Sequence, residues 1–180
     1  MLFKRFKNSF LLFALILAID MATKCLTHFL LPVMGDRFLW YPYGGIGVFQ
    51  NFLGIEFSIS HMTNRGAVWG AFSAYQSYLV LVRCMLLIGL IAYFYYNRES
   101  RLQTPLTLII SGAFGNILDY FLYGHVVDML HFVFFGYDYP VFNIADSAIC
   151  IGIIWMAIDA FWCDRVRQVK KQKGPGFKSR

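Results

Sequence analysis

Four apolar stretches, each about as long as a helix must be to cross a bilayer, constrain this chain more than any other feature. They run from about residue 10 to 31, 74 to 96, 105 to 123 and 140 to 162. At 1.5 Å of rise per residue, roughly 20 residues cross a hydrocarbon core of about 30 Å. Only 14% of the residues are charged and 58% are hydrophobic, whereas soluble domains are about 25% charged. The pattern predicts an integral membrane protein, one domain over residues 1–163, built on four transmembrane α-helices and followed by a basic tail at 164–180. The first stretch contains Asp20 and is too long for the apolar core of a cleavable signal peptide.

What lies between the helices is uneven. Pro32, Gly35, Pro42, Gly44 and Gly45 break up the segment after the first. Leu53, Ile55, Phe57 and Ile59 then alternate with small or polar residues, the period-two pattern of a half-buried strand. A small sheet lying on one bilayer face, over about residues 35–66, is expected. Residues 125–139 read as an aromatic-rich loop. The tail reads as solvated.

The formal net charge is +6, but its distribution is that of membrane topology and not of a nucleic-acid surface. Three cations precede residue 10, two lie in 97–104 and seven follow residue 163, twelve of the sixteen in all. The positive-inside rule then puts both termini in the cytoplasm. Arg83, inside the second stretch, reads as a side chain reaching for headgroups or as an anion contact. The four cysteines have no CxxC spacing and read as small buried apolar side chains.

Against this apolar background the polar residues stand out. Asp119, Asp128 and Asp146, with Asn116 and Asn143, occupy a segment, 112–146, that contains no Lys or Arg. An Asp at the bilayer centre costs about 2.5–3.5 kcal/mol on insertion scales, so such residues mark function by default. Asp20 and Lys24, four apart, share a face of the first helix as a candidate ion pair. Counting depth along each helix brings Asp20, Lys24, Asn64, Asp119, Asp128, Asn143 and Asp146 to one layer near the outer leaflet.

Two carboxylates sharing a proton can activate one water, because like charges at short range do not both ionise. That chemistry suits a hydrolase; the same carboxylates would also suit a proton or cation path in a small transporter. Serines and cysteines lack a histidine partner in the pattern. His28, His61, His125 and His131 are scattered without an HExxH motif, and read as interfacial polar side chains with no metal role.

Five pieces of sequence carry a closer identification. They are Asp20-x-x-Thr23-Lys24; Asn64-x-Gly66-Ala67-x-Trp69-Gly70; Gly112-Ala113-x-Gly115-Asn116-x-x-Asp119; Gly124-x-Val126-Val127-Asp128; and Pro140-x-Phe142-Asn143-x-Ala145-Asp146. In this order, on four spans, the chain resembles the bacterial lipoprotein signal peptidases (signal peptidase II), intramembrane aspartic peptidases. The resemblance implies a catalytic dyad at Asp128 and Asp146. It implies that Asp20, Lys24, Asn64, Gly66, Asn116, Asp119, Asn143 and Ala145 support the site or contact substrate. The implied substrate is a diacylglyceryl-modified prolipoprotein, cut just before its lipidated Cys by a protein that is expected to work without metal or cofactor, as a monomer among membrane lipids and without nucleic acid. The implied location is the bacterial cytoplasmic (inner) membrane, with the site near its outer face. The family's extracytoplasmic β-cradle corresponds to the stretch before Asn64, and a short helix covering the site corresponds to 125–139. The chain departs from the family at Tyr120, where an Arg that contacts substrate backbone is usual, and at Met21, where Gln is usual. Arg65 is the candidate to replace that Arg.

Overall fold

The structure, a computed structural model, describes residues 2–35, 37–66, 76–97 and 100–172. Four long helices carry the chain: α1 (Leu2–Leu30), α2 (Gln76–Tyr96), α3 (Ser100–Tyr123) and α4 (Ile144–Gln172). Each contains a segment long and apolar enough to cross a membrane. α3 is the central helix and packs against the other three. The other helices turn most of their apolar surface outward, as at Leu15, Leu81, Ile88 and Ile154. With lipid as apolar as any side chain, helix contacts in a membrane depend on close packing.

Glycines permit that packing where the site lies. A Cβ on Gly112 would run into the Ala145 carbonyl oxygen of α4 and stand 2.8 Å from Ile149 Cγ1. A Cβ on Gly115 would stand 2.6 Å from the Asp20 carboxylate. Gly112→Ala is therefore expected to push α3 away from α4 beside Asp146. We expect a lowered melting temperature and at least a tenfold loss of turnover, since misplacement by about 1 Å can cost a hundredfold; a variant with parental melting and turnover would show that the crossing tolerates the methyl.

The boundaries differ from expectation in several places. α1 begins near the N-terminus instead of at residue 10. α3 begins at Ser100, so Pro105 lies inside it. α4 begins at Ile144 instead of residue 140, because Asn143 caps it, and it continues well past residue 162 into a stretch rich in the helix formers Arg, Gln and Lys. The cysteines are free, with Cys25 and Cys150 exposed on the protein's surface instead of buried.

The larger correction concerns residues 125–139. They form neither a loop nor a helix but two strands, β3 (Val126–Phe134) and β4 (Tyr137–Asp138). These join β1 (Ile46–Phe52) and β2 (Ile55–Asn64) in one antiparallel sheet ordered β1-β2-β3-β4. β3 is made of β-branched, aromatic and long apolar residues, which fit a pleated surface. Its two faces are both largely buried, so it shows none of the alternation that revealed β2. Leu53-Gly54 and Phe135-Gly136 make the two hairpin turns, all four residues at positive φ, as a two-residue type I′ turn requires.

Register decides what the sheet presents. Ile59 pairs with Leu130 and Met62 with Asp128, so Ser60 and His61 together oppose Met129 in a bulge. Beyond the bulge Asn64 lies diagonally across from Asp128 on the same face. A one-residue slip would send Asn64 to the other face.

Candidate active site

The N-terminus of α4 is where the polar residues meet. Asn143 is its cap: its Oδ1 accepts the Asp146 N–H at 2.8 Å, and the Asp146 carboxylate accepts the Asn143 N–H at 3.3 Å. This is a reciprocal capping box, with the carboxylate held at the positive end of the helix. The Asn143 side-chain amide donates to Asp128 Oδ1 at 2.7 Å. Asn64, from β2, donates to the other Asp128 oxygen at 3.1 Å. Asn116, from α3, donates to Asp146 Oδ1 at 2.7 Å. Asn143 therefore contacts both carboxylates, and each carboxylate has a second Asn of its own.

A second tier sits beneath. The Lys24 ammonium lies 2.7 Å from Asp20, 2.8 Å from Asp119 and 2.9 Å from Asn116 Oδ1. Lys24, Asp20 and Asp119 are each at most 1% exposed. Asp20 accepts the backbone N–H of Ala145 at 2.8 Å, and Asp119 accepts that of Val127 at 3.2 Å. Ala145 and Val127 are the residues immediately before Asp146 and Asp128. One lysine thus bridges two carboxylates, and each of these grips the backbone beside one carboxylate of the upper tier. The i,i+4 ion pair of α1 is real, but it is only one arm of this network.

The remaining expected residues have definite places. The Gly66 N–H donates to Asn64 Oδ1 at 3.0 Å, and its carbonyl accepts from Arg83 at 2.8 Å. Arg83 therefore ties the end of β2 to α2, a role neither sequence reading of it anticipated. Ala145 is fully buried against α3. Ala67, Trp69 and Gly70 lie outside the described residues. Tyr120 is half-buried, edge-on to Phe121.

Asp128 opens onto a cavity of about 510 Å³ lined by Asn64, Arg65, Met34, Asp138 and Tyr139 among others. Asp138 is a residue the sequence reasoning passed over; its carboxylate accepts a hydrogen bond from Nε2 of the buried His131 at 2.6 Å. The Phe135-Gly136 turn signal, flanked by aromatic runs, could have placed it on a hairpin. Asp128 itself is 1% exposed. Burial first, and then the Asp146 charge, push its pKa up to about 7, against the opposing hydrogen bonds from Asn64 and Asn143. The pair is thus suited to holding one proton near neutral pH and to passing it to and from a water.

Comparison with known proteins points to one family. Residues 12–162 match the family model described as signal peptidase (SPase) II. A lipoprotein signal peptidase of Chlamydia pneumoniae is 32% identical over 170 residues, covering 93% of this chain and 98% of its own. One from Staphylococcus aureus (strain JH9) is 34% identical over 153 residues, covering 84% and 86%. A solved structure of a bacterial membrane enzyme superposes with a TM-score of 0.74 at 26% identity, over 96% of this chain and 95% of that one. A second such structure gives 0.69 at 28% identity, over 86% and 92%.

Proposed function

Because this chain belongs to the signal peptidase II family, it is a membrane peptidase that removes signal peptides from prolipoproteins, and we propose that Asp128 and Asp146 are its catalytic pair. The observation that carries the assignment is Asn143, whose side-chain amide donates to the Asp128 carboxylate while its backbone N–H donates to that of Asp146. In this reading the ionised carboxylate takes a proton from the attacking water. The protonated one hydrogen-bonds the scissile carbonyl and then protonates the leaving amine. Asn64, Asn116 and Asn143 hold both groups still, so positioning supplies much of the rate. Asp20, Lys24 and Asp119 fix the backbone on which the pair stands.

We place the site near the outer face of the cytoplasmic membrane, with both termini inside, from the distribution of Lys and Arg. The substrate would enter as a diacylglyceryl-modified chain and be cut before its lipidated Cys. An apolar groove of about 280 Å³ between α1 and the sheet, lined by Leu26, Leu30, Ile59 and Ile144, supports a place for acyl chains. Arg65, in the cavity beside Asp128, is assigned the substrate-backbone contact that Tyr120 does not supply. We take the working unit to be a monomer. Nothing in the site or its relatives supports an ion-coupled transporter.

The test is to incubate the purified protein with a diacylglyceryl-modified prolipoprotein across a range of pH and follow the smaller product. Cleavage just before the lipidated Cys is expected. As pH rises through about 7 Asp128 gives up its proton, so the rate is expected to fall on the alkaline side. The same shift has a stability consequence: a carboxylate with a raised folded-state pKa favours the fold below the ordinary carboxylate range and loses that contribution as pH rises through about 7. A rate that stays level well into the alkaline range would remove the Asp128 proton from the mechanism, and absence of cleavage by folded protein would remove the site assignment.

A further inference from the structure

Away from the carboxylates, three histidines from three elements converge. His28 ends α1, His61 lies in the β2 bulge and His125 immediately precedes β3. One nitrogen of each lies within 4.8 Å of the others. Ring centroids of His28 stand 5.4 Å from His61 and 5.9 Å from His125. His61 is 2% exposed. Far apart in sequence, the three show no ligand spacing, and two of them join the site through the bulge and the β3 register.

Their hydrogen bonding is unusual. His28 Nδ1, His61 Nε2 and His125 Nε2 are all buried and have no hydrogen-bond partner. Buried polar atoms are normally paired, so an orphaned nitrogen on each of three clustered rings requires an explanation. The other nitrogen of His61, Nδ1, is 3.0 Å from the Leu31 carbonyl oxygen. A carbonyl only accepts, so Nδ1 carries the proton and Nε2 presents a bare lone pair to the cluster. Imidazole held by a backbone carbonyl on one nitrogen and free on the other is how proteins orient histidine toward a metal.

We propose that His28, His61 and His125 form a binding site for a borderline transition-metal ion, Zn²⁺ foremost, separate from the catalytic carboxylates. Three neutral imidazoles suit zinc, copper or nickel and not magnesium or calcium, which take oxygen ligands. Tetrahedral zinc with bonds of 2.0–2.1 Å needs ligand nitrogens roughly 3.3 Å apart, so from a spread of up to 4.8 Å the rings must close by as much as about 1.5 Å, a side-chain adjustment. The metal would staple the outer end of α1 to β2 and β3, three residues before Asn64 and three before Asp128. Its role is to hold the sheet on the helices, and the proposal does not depend on the peptidase chemistry.

The experiment uses full-length protein without a histidine tag, stripped with chelator and titrated with Zn²⁺. Binding is measured by calorimetry and by metal content after dialysis, and Co²⁺ absorption reports the coordination. One ion per chain is expected, with a rise in melting temperature of roughly 5–10 °C at a hundredfold excess over Kd. His28→Gln and His125→Gln should each weaken binding by at least about a hundredfold, the upper range for loss of an outer partner alone. His131→Gln, outside the cluster, should bind as the parent does. Failure of the parent to retain stoichiometric metal overturns the proposal, whatever the variants do. So does unchanged binding in the His28→Gln/His125→Gln double variant.

Discussion

Asp128→Asn and Asp146→Asn are each expected to abolish prolipoprotein cleavage, by at least about a thousandfold, while the purified proteins still fold. General acid–base assistance alone contributes about 10²–10⁴, and groups acting as a unit fail together when one is removed. Asn keeps the shape and one acceptor but holds no exchangeable acid proton. Folding survives because two effects oppose each other. At position 128 one oxygen now accepting from Asn64 or Asn143 becomes an amide NH₂ facing another donor, at a cost of about 1–3 kcal/mol. The variant also removes the buried charge that Asp128 carries above pH 7. Relative to the parent, Asp128→Asn should therefore melt higher at alkaline than at acidic pH. Turnover assays and melting curves on both variants check this. Substantial cleavage by either would take that residue out of the pair.

Lys24→Met should be the most destabilising single change among the supporting residues. Lys24 is wholly buried and lies within 2.8 Å of two carboxylates. Breaking a buried ion pair by removing one partner costs about 3–5 kcal/mol, because the orphaned charge cannot reach water. Here one removal orphans both Asp20 and Asp119. Asp119→Asn is expected to be milder, since its amide oxygen can still accept the Val127 N–H while Asp20 keeps the lysine. The double variant Lys24→Met/Asp119→Asn should recover part of the loss, a coupling that a double-mutant cycle measures. Additive effects would mean that Lys24 and Asp119 do not depend on each other. Activity should follow stability in this series, because the network acts on backbone beside Ala145 and Val127, not on the reacting bond.

Much of this was legible in the residues alone. Membrane spans are written as composition over a window, so four helices could be counted without tertiary information. The Asn143–Asp146 capping box is local, three residues apart, yet only the structure revealed it, since the sequence pattern begins that helix at about 140. β2 was readable as a strand because apolar and polar residues alternate along it, but the burial is the reverse of what that pattern implies: Ser58 and Ser60 are buried, while Ile55, Phe57 and Ile59 are only partly covered. β3 was not readable, because burial on both faces erases the alternation that distinguishes a strand from a loop or buried helix.

The residues themselves determined that this protein crosses a membrane with an unusual load of carboxylates, and which of those carboxylates the family resemblance singles out. Only the tertiary structure decided how they are held. Lys24 and Asn116 are 92 residues apart, and Asp20 and Ala145 are 125 apart. Nothing in either neighbourhood specifies the partner. The same is true of His28, His61 and His125, whose convergence depends on a one-residue bulge. A hydrogen bond acts over about 3 Å, so it registers in the sequence only when both ends lie on one turn or one hairpin; the contacts that hold this site and the histidine cluster form after the helices and the sheet have packed.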